Sequence, residues 1–386
     1  MTGERSFDAI VLGVGGMGSA TVYQLARRGK RVLGLEQFDI PHALGSSHGV
    51  NRIIRLAYYE DPSYVPLLRR AYELWRELEA TAGERLLYIT GSIDAGPPDS
   101  LCFSGSLRSC QLHDLPHEIL DGGAVNRRFP GYSLPANLMA VLQPEGGFVL
   151  SEQCIVAHVF AALALGAEIH GRERTLGWEP RGDGVRVETD RGVYEAERLV
   201  ITAGAWAATL VPGLGPLAVP ERQVLAWLQP TEPELFAPER FPVFNLQCEE
   251  GRYYGFPIFG VPGFKFGRYH HLEEATSADG LDRECHPRDE QILREFAARY
   301  FPKGNGPTMG LKTCMFTNSP DEHFILDRLP GTPQVSIAAG FSGHGYKFCS
   351  VVGEIMADLA EHGSTGHDIS LFRLSRFGAT SGPGVA

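Results

Sequence analysis

The pattern of apolar and polar positions divides the start of the chain into three segments, and each segment predicts one element of secondary structure. Residues 7–13 form a short apolar run that ends in glycine, which is typical of a buried parallel strand. Residues 16–28 have an apolar helical face and end in a basic, glycine-terminated turn, so we expect a helix. Residues 31–36 are apolar again and predict a second strand, which completes a βαβ unit.

The same periodicities predict a mixed α/β protein along the rest of the chain. Helical spacing of apolar residues occurs in residues 62–82, 152–166, 287–300 and 347–361. Strand patterns occur in residues 185–202 and 335–339. Residues 218–275 are rich in aromatic residues, Pro and Gly and predict a separate sheet. The last dozen residues are rich in Gly and Ser and predict a loose tail.

Composition is that of an ordinary globular protein and narrows the classes of partner. With 386 residues, 43% of them hydrophobic and 21% charged, the chain is long enough for two domains. The net charge of −11 argues against nucleic-acid binding, because phosphate backbones attract clustered Lys and Arg. The chain has no apolar run of membrane-spanning length and its N-terminus lacks a signal-peptide pattern, so we expect no membrane association.

The cysteines give a further indication of the compartment. There are seven of them, scattered along the chain, and their spacing matches neither a disulfide framework nor a metal site. We therefore expect a cytoplasmic protein without a bound metal.

A glycine-rich turn connects the first predicted strand to the first helix. Its sequence, GVGGMG from Gly13 to Gly18, matches the pattern G-x-G-x-x-G, whose glycines permit a tight turn and a close approach to a pyrophosphate. Glu36 follows 23 residues after Gly13, where an acidic residue is expected to bind ribose hydroxyls. The pattern favours a site for FAD or NAD over a simple surface turn. The apolar strand that reaches Gly204 offers either a second close approach to this ligand or an ordinary strand and turn.

Several basic or nucleophilic positions are candidates for chemistry, and each also has a purely structural interpretation. Arg52 and Arg55 would share a face on a helix, where they could bind a carboxylate or form surface salt bridges. Cys314, close to Lys312, fits a reactive thiol or a small buried side chain. Lys347 opens a helix after a glycine-lined loop, where a bound anion or simple exposure would explain the cation.

Six segments in one order resemble the monomeric sarcosine oxidase family, a branch of the D-amino-acid-oxidase-like flavoenzymes. The resemblance covers nearly the whole chain, and its segments are Ser46-Ser47-His48-Gly49 with Arg52-Ile53-Ile54-Arg55, Tyr253-Tyr254-Gly255-Phe256-Pro257, Gly263-Phe264-Lys265, Lys312-Thr313-Cys314-Met315, Pro320-Asp321-Glu322-His323-Phe324, and the stretch from Gly340 to Lys347.

This resemblance implies a particular domain organisation. A Rossmann-like FAD-binding domain of the glutathione-reductase-2 type would be interleaved with a β-sheet substrate domain. We expect the FAD-binding domain to comprise residues 1–90, 145–215 and 325–386. The substrate domain would then comprise residues 91–144 and 216–324.

The resemblance also implies roles for individual residues. Cys314 would carry the FAD through a covalent thioether, and Lys265 would assist oxygen reduction, because a fixed cation stabilises the negative charge that develops on O₂. The expected catalytic residues are Lys265, Arg52, Tyr254 and His270. The expected substrate-binding residues are Arg55 and Lys347, which would clamp a carboxylate, with Phe316 and Tyr269. The expected FAD contacts are Gly13, Gly15, Gly16, Met17, Gly18, Glu36, Ser46, His48, Arg52, Gly204, Cys314, Gly343, Gly345 and Lys347.

The reaction implied is the oxidation of sarcosine, or a related secondary amino acid, by FAD and O₂. Its products from sarcosine would be glycine, formaldehyde and hydrogen peroxide. The resemblance suggests a monomer whose partners are the small amine and O₂.

Two departures from the family pattern concern the substrate more than the flavin. Family members that oxidise sarcosine typically have Tyr where this chain has Phe316, and His four residues after the lysine, where this chain has Tyr269 followed by His270. Either the loop is one residue longer or the pocket differs. An oxidase for N-methyltryptophan, pipecolate, L-proline or a fructosyl amino acid is therefore an alternative. A dehydrogenase that passes electrons to a quinone or carrier protein is a second alternative, and a non-catalytic nucleotide-binding regulator is a third.

Overall fold

The computed structural model describes residues 5–378, and these residues form the expected mixed α/β fold. The α-helices, in chain order, are α1 (Gly16–Arg27), α2 (Tyr64–Ala82), α3 (Ser106–Leu112), α4 (Gly122–Arg128), α5 (Ser151–Ala164), α6 (Ala207–Leu210), α7 (Pro287–Tyr300) and α8 (Cys349–His362). A π-helical turn, Leu101–Gly105, leads into α3, and a 3₁₀ turn, Tyr346–Phe348, leads into α8.

The strands pair into three sheets. In chain order they are β1 (Arg5–Leu12), β2 (Val32–Leu35), β3 (Asn51–Ile54), β4 (Leu87–Ile89), β5 (Ser92–Gly96), β6 (Glu118–Asp121), β7 (Met139–Gln143), β8 (Gly147–Leu150), β9 (Glu168–His170), β10 (Thr175–Arg181), β11 (Gly184–Thr189), β12 (Val193–Ile201), β13 (Val219–Leu228), β14 (Val243–Cys248), β15 (Gly251–Phe256), β16 (Phe264–Arg268), β17 (Thr308–Asn318), β18 (Ile325–Leu329) and β19 (Thr332–Ala339).

The first sheet is Rossmann-like, with the order β10-β11-β12-β1-β2-β9 and with β19 also paired to β12. Strand β1 runs parallel to both β2 and β12, and β19 runs parallel to β12. Helices α1, α5 and α8 pack together beside this sheet. Because parallel strands end at the same edge, the turns after β1, β2 and β12 lie close together there, where α/β sheets bind ligands.

The second sheet supplies the wall that faces this edge. Its order is β17-β13-β16-β15-β14-β5-β7-β6, and its other face packs on α7 through a cluster of buried aromatic side chains that includes Phe244, Phe264, Phe296 and Phe301. The third sheet is short and has the order β3-β8-β4. Its strand β3 carries Arg52.

Most of the predicted elements agree with the structure to within a few residues. The predicted helix at 287–300 is α7, and the predicted strands in residues 185–202 are β11 and β12. The last dozen residues, which were predicted to form a loose tail, lie mostly outside the described residues. The structure shows the sheets but does not test the proposed domain boundaries, which stay a prediction.

One conditional expectation needs correction. Arg52 and Arg55 do not share a helical face, because the segment is the strand β3 and the residue after it. On an extended backbone, side chains three residues apart point to opposite sides. Arg52 accordingly reaches a cavity, whereas Arg55 is buried on the other side.

Between residues 5 and 378, none of the helices combines the length and hydropathy needed to cross a bilayer. The same residues contain no group of three or more His, Cys, Asp or Glu side chains that could hold a metal ion.

Candidate active site

The glycine-rich turn after β1 has the tight geometry that its sequence predicts. Gly13 has a φ of +87°, and a Cβ on Gly18 would lie 1.7 Å from the carbonyl oxygen of Gly13. A Cβ on Gly15, by contrast, would meet only Ser47 Oγ, at 3.8 Å, so the backbone there is open. Helix α1 begins directly afterwards at Gly16 with no side-chain cap and no acidic residue in its first turn. The turn therefore presents a helix N-terminus to a phosphate group.

Glu36, at the end of β2, is fixed beside this turn. Its carboxylate accepts hydrogen bonds from the backbone N–H groups of Val14, at 2.9 Å, and Phe38, at 3.0 Å. A carboxylate has about four acceptor positions, so others remain available to ribose hydroxyls. Because Glu36 is held by main-chain donors, it is oriented before any ligand binds.

One cavity, of about 340 Å³, extends from Glu36 past the glycine turn to the second sheet. Most of the site residues predicted from the sequence line it. These are Gly13, Gly15, Gly16, Met17, Glu36, Ser46, Arg52, Gly204, Tyr254, Tyr269, Cys314, Phe316, Gly343, Gly345 and Lys347. The fold thus brings residues from both ends of the chain and from the middle to one place.

Two cysteines line the cavity, and their surroundings differ. Cys314 lies on β17 with its Sγ 3.8 Å from Arg52 Nη2 and 4.0 Å from the carbonyl oxygen of Ser46. Cys349, at the start of α8, lies against the glycine turn, where a Cβ on Gly16 would be 2.7 Å from its Sγ. Burial raises the pKa of the Cys349 thiol well above its usual value. Only Cys314 therefore combines access to the cavity with contact to a guanidinium.

Lys265, on β16, is buried close to the cavity but is not part of its lining. Its Nζ donates hydrogen bonds to the carbonyl oxygens of Gly49 and Asn51, both at 2.7 Å, and to Asn51 Oδ1 at 2.8 Å. Burial, reinforced by the charge of Arg52, lowers the pKa of Lys265 well below its usual value. The three acceptors oppose this effect, because only the charged ammonium has three hydrogens to donate.

Arg55 is held in a buried network of opposite charge. Its Nη1 donates to the carbonyl oxygen of Ala57 at 2.6 Å, its Nη2 lies 2.8 Å from Glu60 Oε2, and its Nε lies 3.7 Å from Asp94 Oδ1. The guanidinium also stacks on Tyr58 and Tyr59, at 4.4 Å and 4.1 Å from the ring centroids. Arg55 does not line the cavity in this arrangement.

Lys347 does line the cavity and is close to the same network. Its Nζ donates to the carbonyl oxygen of His344 at 2.8 Å and lies 5.2 Å from the centroid of Tyr58. Burial, together with the charge of Arg55, lowers the pKa of Lys347 to about 7. His344 is also buried, and its Nδ1 shares a 2.6 Å hydrogen bond with the Tyr58 hydroxyl.

Three aromatic rings form the wall of the cavity opposite the glycine turn. The ring of Tyr269 lies edge to face with Tyr254 at a centroid distance of 5.0 Å, and it contacts Phe316 at 5.8 Å. A Cβ on Gly343 would lie 2.4 Å from the ring of Phe316, so the loop after β19 packs directly on this wall.

Three other predicted residues lie outside the lining. His270 follows Tyr269 but forms ion pairs with Glu221 at 3.0 Å and with Glu322 at 3.2 Å. The structure thus places Tyr269 at the cavity and His270 away from it. Gly18 is buried beneath the glycine turn, in contact with Gly13. His48 is buried, and within the described part of the chain neither of its ring nitrogens has a hydrogen-bond partner.

The sequence reasoning missed the anionic side of the Arg55 network. Glu60 and Asp94 are both almost completely buried, and Asp94 also accepts hydrogen bonds from Asn245 at 2.7 Å and Ser106 at 2.9 Å. A signal was present for Asp94, which interrupts the otherwise uncharged strand β5. Buried carboxylates require partners, so a charge inside a strand indicates a network.

The comparisons with known proteins agree with this geometry. Residues 8–359 match the family described as FAD dependent oxidoreductase (DAO). The chain belongs to this family. The chain is 44% identical to the monomeric sarcosine oxidase of Streptomyces avermitilis over 97% of this chain and 98% of the relative. It is 35% identical to the N-methyl-L-tryptophan oxidase of Yersinia pestis over 96% and 99% of the two chains. The resemblance to the monomeric sarcosine oxidases is confirmed.

Solved structures of an amino acid oxidase and of a dehydrogenase share the fold. NikD, an unusual amino acid oxidase essential for nikkomycin biosynthesis, is 27% identical and superposes with a TM-score of 0.83 over 96% of this chain and 97% of that chain. The L-proline dehydrogenase from P. horikoshii, at 20% identity, has the same fold with a TM-score of 0.83 over 97% and 98%.

The residues of the cavity fit the FAD that the family uses. Glycines without room for a Cβ surround the turn at the helix N-terminus, and the fixed carboxylate of Glu36 lies beside it. Gly204, with a φ of +52°, offers a second close approach of the backbone from the end of β12. The pyrophosphate and ribose of a dinucleotide require these donors and acceptors.

Proposed function

We propose that this protein oxidises a small secondary amino acid, with sarcosine as the first candidate, and uses O₂ as the electron acceptor. The observation that carries the proposal is the pair of cations Arg55 and Lys347, which lie 4.4 Å and 5.2 Å from the centroid of one ring, that of Tyr58, next to the cavity. Relatives named monomeric sarcosine oxidase at 44% and 42% identity support this substrate.

A carboxylate is the ligand that best suits these cations. Arginine offers two parallel N–H donors to a carboxylate, and a buried lysine adds a compact charge. Arg55 is paired with Glu60 in this structure, so a substrate carboxylate would replace Glu60 as the partner of Arg55. Lys347 would bind the same carboxylate from the cavity side. An incoming carboxylate would also stabilise the charged form of Lys347, whose pKa is lowered to about 7 by burial and Arg55.

FAD bound in the cavity would supply the electron transfer, taking a hydride from the carbon next to the amine nitrogen and passing the electrons to O₂. We propose that Cys314 holds this cofactor covalently, since it is the cavity-lining thiol that contacts a cation, Arg52. We assign Lys265 to oxygen activation, because three oxygen acceptors fix its ammonium 4.1 Å from the centroid of Phe256, a ring that lines the cavity.

The aromatic wall bears on the choice between sarcosine and larger amines. Tyr254, Tyr269 and Phe316 line the cavity together with Cys314, and the ring of Tyr269 contacts both Tyr254 and Phe316. A wall of three packed rings favours a small N-substituent such as methyl. An oxidase for N-methyltryptophan, pipecolate, L-proline or a fructosyl amino acid stays the second candidate, because Arg55 and Lys347 would bind the carboxylate of these substrates equally well.

We further propose that the protein acts as a monomer in the cytoplasm. The scattered cysteines are all unpaired in the structure, as expected in a reducing compartment. Sedimentation of the purified protein would test the monomer directly.

The experiment that tests the proposed function is hydrogen peroxide release by the purified protein with sarcosine, N-methyltryptophan, pipecolate, L-proline and fructosyl-glycine. We expect turnover with sarcosine and little with the bulky amines. Turnover with a bulky or cyclic amine alone would move the assignment to the second candidate. Reduction of the flavin by substrate without peroxide release, but with turnover on an artificial quinone, would indicate a dehydrogenase instead.

A further inference from the structure

Tyr269 has an unusual neighbour behind the aromatic wall. The guanidinium carbon of Arg252, on β15, lies 4.2 Å from the centroid of the Tyr269 ring. The same carbon lies 5.5 Å from the centroid of the buried ring of Tyr59. Arg252 therefore contacts the face of a ring that lines the cavity, while it is itself outside the lining.

The other contacts of Arg252 are few. Among residues 5–378 its guanidinium has one ion-pair partner, Glu322, at 3.6 Å, and that carboxylate is shared with His270 at 3.2 Å. The side chain of Arg252 is only 16% exposed. A guanidinium shielded from water in this way interacts strongly with aromatic faces. The rings of Tyr269 and Tyr59 thus contact a guanidinium that is largely shielded from water.

The backbone adds a second link between the two residues. The N–H of Tyr269 donates a 2.8 Å hydrogen bond to the carbonyl oxygen of Arg252, which continues the pairing of β15 with β16. This hydrogen bond survives any side-chain replacement at position 252. A substitution of Arg252 therefore removes the contact with the ring and leaves the strand pairing in place.

We propose that Arg252 is a positioning residue that holds the ring of Tyr269 against Tyr254 and Phe316, and that Tyr269 thereby limits the size of the amine substituent that the cavity accepts. This inference rests on the proposed function, because it concerns the substrate of the same site. Without the cation on its outer face, the ring of Tyr269 can turn away from its neighbours and enlarge the cavity.

The test uses the purified holoprotein with sarcosine, N-ethylglycine and N-benzylglycine, with kcat and KM measured from peroxide release. We expect Arg252→Met to raise the ratio of kcat/KM for N-benzylglycine to that for sarcosine by about tenfold, mainly through KM. Arg252→Lys retains a cation and should restore most of the wild-type ratio. Tyr269→Ala should change the ratio in the same direction as Arg252→Met, whereas Tyr269→Phe, which keeps the ring, should not.

Arg128→Met is the matched control, because Arg128 also lies over a ring, that of Phe129, and neither residue lines the cavity. It should leave the ratio unchanged. A wild-type ratio in Arg252→Met, or an equal loss of selectivity in Arg252→Met and Arg252→Lys, would overturn the inference. Because the wild-type protein is assayed alongside, failure to oxidise any of these amines would instead refute the proposed function.

Discussion

The Nη2 atom of Arg55 lies 2.8 Å from Oε2 of Glu60, and both side chains are buried. Burial alone would raise the pKa of Glu60, but the positive charges around it, of which Arg55 contributes most, together outweigh burial and lower the pKa to about 2. Breaking a buried ion pair of this kind destabilises the folded protein, because removal of one partner leaves the charge of the other buried without it.

We therefore predict that Glu60→Gln lowers the free energy of unfolding by about 3 kcal/mol, because the charge of Arg55 loses its nearest charged partner. Urea denaturation followed by circular dichroism would measure the change. Glu73→Gln is the control, since Glu73 pairs with Arg70 at 2.7 Å but is 62% exposed, and we expect a loss below about 0.5 kcal/mol there. Similar losses of unfolding free energy in the two variants would show that the buried pair does not stabilise the protein more than the exposed pair.

The second prediction concerns covalent attachment of the flavin. We expect Cys314→Ser to yield protein whose flavin is released by acid precipitation, because Cys314 is the cavity-lining thiol that contacts Arg52. The intact mass of the variant should lack the mass of FAD. Cys349→Ser, which alters the other cavity-lining cysteine, should keep the covalent flavin. Yellow colour retained in the acid pellet of Cys314→Ser would refute the assignment.

The third prediction separates the two halves of the reaction. Lys265→Met should slow reoxidation of the reduced flavin by O₂ about a hundredfold, because a fixed positive charge near the site is lost. Reduction by the amine substrate should change far less. Stopped-flow absorbance in anaerobic and aerobic mixing experiments would measure each rate. Lys312→Met, at an exposed lysine two residues from Cys314, is the control and should affect neither rate. Equal slowing of both half-reactions in Lys265→Met would contradict the role.

The fourth prediction concerns stability at alkaline pH. The hydrogen bond to Glu221 and the ion pair with Glu322 raise the pKa of His270 to about 9. The folded protein therefore binds this proton more tightly than the unfolded chain, in which histidine titrates near pH ~6.5. The stabilisation is fully present below that pH and is lost as the pH rises through about 9. After allowance for the partial exposure of Glu322, we expect the loss to be about 2 kcal/mol.

Urea denaturation of the wild type and of His270→Gln between pH 6 and pH 10 would measure this effect. The variant should be less stable than the wild type at low pH, and the difference should shrink as the pH rises. His286→Gln, at a more exposed pair with Asp282, is the control and should give a smaller difference. A constant difference across the range would show that the charge of His270 does not contribute.

Local signals in the sequence were sufficient for much of the fold. The glycine turn, Glu36 at the end of β2 and the helix α7 were all predicted, because each depends on residues close together in the chain. Hydrophobic period, glycine position and helix ends act over a few residues, so one sequence is enough to recognise them. The order of the resembling segments then identified the family without any structure.

Long-range packing decided the details of the candidate substrate site. Tyr269 and His270 lie in the turn after β16, where His270 has a φ of +52°, and this turn places Tyr269 at the cavity and His270 outside it. The alternation of side chains on the extended backbone of β3 separated Arg52 from Arg55. The pairing of Arg55 with Asp94, and of Arg252 with Tyr269, joins different strands or segments, and no local pattern encodes which of them meet. Such contacts exist only once the sheets have paired, because burial is what brings the charges and rings together.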